Sequence, residues 1–239
     1  MDLKNKVVII TGASSGIGKT AARAFAKQGA HVVLAARSID KLQTLRGEIG
    51  GLCVQTDITK EHEVKHLFNE AENTYGRIDI LLNNAGRGLR SDLCNIDYHD
   101  WQNLFATNVT GTFLCTKEAV IRMRAKQING HIITIGSIAG LFGAPNYAAY
   151  CASKHAVRGF KKALSWEVRP ITISTINPGR IDTAFFKDYA KKPKRNQLLN
   201  PDDIADIIIA HSRRNPPLVW AYRARNLLKR IYYFFRYLF

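Results

Sequence analysis

The chain has 239 residues, 46% of them hydrophobic, which excludes disorder and suits one α/β domain or at most two small ones. Its four cysteines (Cys53, Cys94, Cys115, Cys151) stand far apart with no CxxC or metal-ligand spacing, so nothing suggests a disulfide framework and free thiols in a reducing compartment are expected. The net charge is +16, and half of it falls from Lys187 onward, where twelve cations stand against four acids; such a patch attracts an anionic partner.

In chain order, Val7–Ile10 is an apolar run too short for a signal peptide or a spanning helix, and no run of about 18 apolar residues occurs anywhere. It reads as a first strand, followed by Thr11-Gly-Ala-Ser-Ser-Gly-Ile-Gly18 and a helical stretch, Lys19–Gln28. Strand, glycine-rich turn and helix make a phosphate cradle. Gly12 allows the sharp turn, Gly16 and Gly18 let a pyrophosphate approach, and the helix start supplies amides and partial positive charge. His31–Ala36 is the second strand. Arg37 follows it where an acid would serve a ribose 2′-hydroxyl, so a 2′-phosphate and NADP(H) are predicted, with Ser14 and Ser15 adding hydrogen bonds. After a helix over 40–49 comes the third strand, Leu52–Gln55, then Asp57, which could accept from an adenine amino group, cap the next helix, or both. That next helix carries His62-Glu-Val-Lys-His66, the spacing of a zinc protease. No third ligand follows and the segment is polar, so no metal is expected.

Ile78–Leu82 is the fourth strand, and the small residues of Asn83-Asn-Ala-Gly86 let backbone pack under an adenosine ribose, with Asn84 bracing the sheet. Trp101–Arg124 reads as one long helix interrupted by Asn108. A mid-helix asparagine is unfavourable and predicts a kink whose freed carbonyl holds a water. The strand 131–136 ends at Ser137, with Leu141 and Phe142 bordering the space above it. Tyr150 and Lys154 share one face of a helix closed by Pro170. A lysine beside a phenol is expected to lower the phenol's pKa and fit it for proton exchange with a carbonyl or alcohol. Ile171–Ile176 is the sixth strand, and its exit, Asn177-Pro-Gly179, is where a nicotinamide would rest. Residues 180–200 form a long basic loop suited to a lid, Pro201-Asp-Asp-Ile caps a helix, and Leu218–Trp220 reads as a short last strand.

These residues resemble the short-chain dehydrogenase/reductase family over about residues 5–220. The resemblance rests on Thr-Gly-x-x-x-Gly-x-Gly (11–18), Asn-Asn-Ala-Gly (83–86), Asn108, Ser137, Tyr150-x-x-x-Lys154 and Pro-Gly (178–179). It implies a seven-stranded parallel, doubly wound Rossmann sheet as one domain, 1–220. It also implies a catalytic set in which Tyr150 is the acid/base, Ser137 orients the substrate oxygen, Lys154 holds the nicotinamide ribose and Asn108 anchors a proton-relaying water. The NADP(H) contacts it implies add Ile17, Ile58, Ala85, Gly86, Pro178, Gly179, Ile181 and Thr183 to the residues already named, and Tyr150 and Lys154 touch the same cofactor. Homodimers or homotetramers through the helices bearing Asn108 and Tyr150 are implied as well. Substrate contacts are expected from Ser137, Leu141, Phe142, Tyr147, Phe185 and Phe186, which favour an apolar ketone or secondary alcohol. The chain departs from the pattern at its end, where a basic aromatic tail, 221–239, replaces a glycine-rich stretch.

Taken as a helix, that tail places Leu227, Ile231, Phe234 and Phe235 on one half and Arg223, Lys229, Arg230 and Arg236 on the other, with no acid present. An anionic membrane surface or a subunit interface would bury it. Nucleic acid is not expected, since nothing presents a reading helix or a stacking sheet. The expected protein is thus a cytoplasmic NADP(H)-dependent oxidoreductase that can lie on a membrane surface. The alternative is a non-catalytic NADP(H)-binding or membrane-scaffold protein of the same fold, which would need no acid/base pair.

Overall fold

In the computed structural model, the described residues are 2–181 and 198–213. Six apolar runs become parallel strands: β1 (Val7–Thr11), β2 (His31–Ala36), β3 (Leu52–Gln55), β4 (Ile80–Asn83), β5 (His131–Ile135) and β6 (Thr172–Ile176). They lie in the order β3-β2-β1-β4-β5-β6. The order reverses between β1 and β4, which opens a crevice at the carboxyl ends of those strands.

The near-continuous apolar character of the strands has a direct cause, because alternate residues leave opposite faces and both faces are covered. Val8, Ile10, Val32, Leu34, Ile80 and Leu82 meet α1 (Gly16–Lys27), α2 (Ile39–Ile49) and α7 (Pro201–Ser212) through Phe25, Leu42, Leu45 and Ile208. Val7, Ile9, Val33, Leu81 and Ile132 meet α3 (Glu61–Tyr75) and α5 (Thr112–Ala125) through Leu67, Phe68, Cys115 and Met123. The remaining helices are α4 (Tyr98–Phe105) and α6 (Ala148–Glu167). All four cysteines are free.

Several boundaries differ from the sequence reading for local reasons. Residues 101–124 are not one helix: α4 and α5 are separated by a π-helical turn, Ala106–Gly111. The fourth strand begins at Ile80 because Asp79 is buried and occupied. Its carboxylate accepts from the Val7 amide at 3.0 Å and from both forks of Arg77, which ties the start of β1 to β4. Helix α7 is capped by Asn200, whose side chain accepts from the Asp202 amide at 3.0 Å, with Pro201 in the first turn. Beyond the end of β6, Ile181 bridges to Leu199, which leads into α7. The seventh strand at 218–220, most of the 180–200 loop and the 221–239 tail lie outside the described residues. No helix among the described residues is long and apolar enough to cross a membrane.

Candidate active site

Three elements deliver the chemistry-bearing side chains to one edge of the sheet. Ser137 follows β5 and opens a short 3-10 turn, its hydroxyl oxygen accepting from the Ala139 amide at 3.1 Å. Tyr150 lies in the first turn of α6 and Lys154 one turn later. The two elements are held close by Gly140, where a Cβ would stand 2.9 Å from the Lys154 carbonyl oxygen. The Tyr150 phenol hydrogen-bonds the Ser137 side chain. Lys154 Nζ donates to the Ile135 carbonyl at 3.1 Å and lies 5.8 Å from the Tyr150 ring centroid.

Asn108 joins this group from the π turn, and the kink predicted at that position is the π turn itself. Its amide nitrogen donates to the Arg87 carbonyl at 3.0 Å and to the Ser153 hydroxyl at 3.1 Å, and its oxygen accepts from the Arg87 amide at 2.9 Å. Its backbone carbonyl accepts from the Thr112 hydroxyl at 2.8 Å, which occupies one lone pair of the group expected to hold a water. Gly111 lets the turn sit against Ile58, where a Cβ would stand 3.1 Å from the Ile58 carbonyl oxygen.

The electrostatics correct the expectation drawn from the Tyr-Lys spacing. Burial pushes the Tyr150 phenol up to about 12, and the Ser137 hydrogen bond pulls it back only in part. Burial also pushes the Lys154 amine down to about 8. Desolvation is the largest cause of both shifts, the phenol being buried and the lysine part-buried. A phenol in this state keeps its proton at neutral pH, so it is poised to donate to a carbonyl oxygen rather than to deprotonate an alcohol.

The cofactor cradle is legible in steric terms. Gly12 has φ +67°, and a Cβ there would stand 2.8 Å from Ala85 Cα and 2.9 Å from the Asn84 amide nitrogen. Gly18 serves packing rather than phosphate access, since a Cβ would run into the Gly12 carbonyl and the Asn84 side chain. The Asn84 amide donates to the Thr11 carbonyl at 2.9 Å, at the end of β1, and to the Gly12 carbonyl at 3.1 Å, in the turn that follows. Gly16 has φ +52° and begins α1, whose cap residue Ser15 makes no side-chain cap bond and whose first turn holds no acid. Helix amides, hydroxyls of Ser14 and Ser15 and the absence of acids fit a pyrophosphate. Gly86 is exposed, and a Cβ there would stand 3.3 Å from Asn108 Oδ1 and 3.8 Å from Lys154 Nζ, so a side chain at this position would crowd both groups.

Arg37 follows β2 directly and is exposed. Asp57 does not cap α3, whose cap is Lys60. Its Oδ1 accepts from the Thr59 amide and hydroxyl at 3.0 and 2.8 Å. Burial raises this carboxyl, but those bonds and the Arg37 and Lys60 cations outweigh it and hold it below its ordinary value. Ile17 is partly buried, while Ile58 and Ile181 are buried, so contacts from these two to a cofactor would come from backbone. Pro178 accepts from the Ile138 amide at 3.1 Å, which sets the β6 exit with Gly179 beside Ser137. Leu141 is half-buried, Phe142 exposed, and Tyr147 lies edge to Tyr150 at 6.3 Å. Thr183, Phe185 and Phe186 lie outside the described residues. No metal-holding group of acids, histidines or cysteines occurs among the described residues, and His62 of the zinc-like spacing points to solvent, 81% exposed.

Two features escaped the sequence reading. Ser153 supports Asn108, and nothing in its spacing marks it. The Arg90 guanidinium carbon lies 5.9 Å from the Tyr147 ring centroid, a contact between separate segments that only the fold makes.

The comparisons with known proteins agree with this layout. A family model described as short chain dehydrogenase matches residues 6–194. An uncharacterised oxidoreductase of Staphylococcus aureus (strain MRSA252) is 35% identical over 212 residues, covering 87% of this chain and 90% of the relative. The 3-ketoacyl-(acyl-carrier-protein) reductase from Brucella melitensis, complexed with NADH, superposes with a TM-score of 0.82 at 33% identity, covering 88% of this chain and 91% of its own. An alcohol dehydrogenase from the archaeon Thermococcus sibiricus, complexed with 5-hydroxy-NADP, gives 0.79 at 28% identity, covering 86% and 89%.

Proposed function

The chain belongs to the short-chain dehydrogenase family of oxidoreductases, and on that premise we propose that it is an NADP(H)-dependent reductase of a carbonyl group in a largely apolar substrate, the reverse reaction oxidising the secondary alcohol. One observation carries the reading: Ser137, Tyr150, Lys154 and Asn108 meet at one sheet edge, beside a glycine cradle shaped for a dinucleotide. A bound NADPH supplies the hydride to the carbonyl carbon. Tyr150, protonated at neutral pH, gives its proton to the carbonyl oxygen, and Ser137 holds that oxygen against it. Lys154 would hold the nicotinamide ribose and, while charged, would favour the phenolate left after transfer. Asn108 fixes the Arg87 and Ser153 segments around the lysine.

The NADP(H) preference rests on Arg37, a cation in the place of a ribose-binding acid and close enough to influence Asp57. Known relatives include complexes with NADH and with an NADP derivative, so this residue rather than the fold decides. Leu89, Ile96, Ala139 and Tyr147 pack around Tyr150 and Leu104 and support an apolar substrate wall. Self-association through α4, α5 and α6 is supported by exposed Trp101, Phe113, Ile121 and Trp166. Contact of residues 221–239 with an anionic membrane surface is supported by sequence alone, and flotation on anionic liposomes with and without those residues tests it.

The test of the main reading is NADPH oxidation with a panel of ketones. Turnover of at least one ketone is expected. Tight NADPH binding without turnover of any carbonyl compound would favour the non-catalytic alternative.

A further inference from the structure

We propose that Ser153 is a positioning residue of the reaction: its hydroxyl locks the Asn108 side chain to α6, and so holds the segment after β4 against the turn of that helix bearing Tyr150 and Lys154. The proposal rests on the reductase reading and deepens it. Ser153 has no exposed surface and Asn108 is 2% exposed, so the polar atoms of both need partners inside the protein.

The hydrogens of this pair can be assigned one by one. The Ser153 hydroxyl has a single hydrogen, which it donates to the Tyr150 carbonyl at 2.8 Å. Serines in helices often bond back one turn in this way, and that bond alone marks nothing. Here it orients the hydroxyl so that a lone pair is left to accept, and the Asn108 amide nitrogen donates to it at 3.1 Å from another element. The same nitrogen donates to the Arg87 carbonyl at 3.0 Å, while the Asn108 oxygen accepts from the Arg87 amide at 2.9 Å. Asn108 thus engages both backbone groups of Arg87, and Ser153 takes the N–H that remains.

This clamp lies beside the reacting groups. A Cβ on Gly86, the neighbour of Arg87, would stand 3.3 Å from Asn108 Oδ1 and 3.8 Å from Lys154 Nζ, so the amide oxygen and the amine border one point. Lys154 is the residue after Ser153, and its amine donates to the Ile135 carbonyl at 3.1 Å. Removing the Ser153 hydroxyl leaves one Asn108 N–H buried without its partner, and the side chain must turn or admit water to satisfy it. Either response shifts Gly86 and Arg87 relative to Lys154. Small displacements at a reacting centre lower turnover even where binding is retained.

The experiment measures NADPH-dependent reduction by the full chain, with whichever of acetophenone, benzylacetone and cyclohexanone the wild type reduces fastest. The proteins are the wild type, Ser153→Ala, Ser153→Cys, Asn108→Ala and the double alanine variant, each shown by circular dichroism to be folded at the assay temperature. Ser153→Ala should lower kcat by about tenfold, with the KM for ketone and for NADPH within about threefold of wild type. Ser153→Cys fills the space but accepts hydrogen bonds poorly, so it should show the same split. Because Ser153 acts through Asn108, adding Ser153→Ala to Asn108→Ala should lower kcat by no more than about threefold further. An unchanged kcat in both Ser153 variants would overturn the proposal and leave the reductase reading intact. Losses that multiply in the double variant, or a raised KM with kcat retained, would do the same. If the wild type reduces no ketone, the reductase reading fails instead. Hydrogen exchange at the Arg87 amide then decides the clamp: exchange about tenfold or more faster in Ser153→Ala, with α7 unchanged, supports it, and equal exchange overturns it.

Discussion

Lys161 lies on α6 well away from the reacting phenol, and the structure buries it almost completely with its amine unpartnered among the described residues. Burial pushes that amine from its ordinary 10.5 down to about 7. The unfolded chain keeps the proton up to the ordinary value and the native chain gives it up near neutrality. Between those limits the unfolded state binds more protons, so stability rises with pH. At about 1.4 kcal/mol per tenfold, burying the amine costs about 4 kcal/mol at pH 7 and under about 1 kcal/mol at pH 10. Lys161→Met keeps the length of the side chain and removes the charge, which a buried site tolerates well. It should raise the unfolding free energy by about 3–4 kcal/mol at pH 7, equivalent to about 6–16 °C in Tm for a domain of this size. Urea unfolding followed by circular dichroism at pH 7 and pH 10 reads both. A variant less stable than the wild type at pH 7, or a gain equal at the two pH values, would refute the reasoning. The background rise contributed by Lys154, lowered to about 8, is common to both proteins and cancels in the difference.

Other expectations follow from the cradle and the electrostatics. Gly18→Ala should abolish NADPH binding and lower stability by at least about 2 kcal/mol, because the added carbon meets backbone that cannot yield; fluorescence titration and thermal melts check this. Arg37→Ala should lower the ratio of kcat/KM for NADPH over NADH by about tenfold or more, and an unchanged ratio would remove Arg37 from cofactor choice. The rate of ketone reduction should hold from pH 6 to 7 and fall above about 8 as Lys154 loses its proton, while alcohol oxidation should rise toward pH 10 as the phenol begins to ionise; initial rates in both directions measure it.

Both faces of the sheet are covered, so strand runs such as Val7–Ile10 and Ile80–Leu82 are unbroken by polar residues and easily seen. The cradle was legible because Gly12, Gly16 and Asn84 carry their reasons locally, in backbone angle or in a reach of one side chain. Asn108 announced a disturbance through its helix propensity, but not its form, since a π turn depends on Gly111 fitting against Ile58 from another segment. The state of Tyr150 and Lys154 was misread for a related reason. Spacing on a helix reports proximity, whereas the loss of water around both groups depends on neighbours contributed by distant segments. Arg90 meets the Tyr147 ring from another segment of the chain, a contact that no local spacing reveals.

Replacement of the Tyr150 hydroxyl by hydrogen is the most direct probe of proton delivery from this residue. In Tyr150→Phe, ketone reduction at saturating NADPH should fall by about a hundredfold or more, with NADPH affinity within about threefold of wild type. A variant that reduces the ketone at a rate close to wild type would contradict the assignment of the proton donor and, with it, the chemistry built on this site.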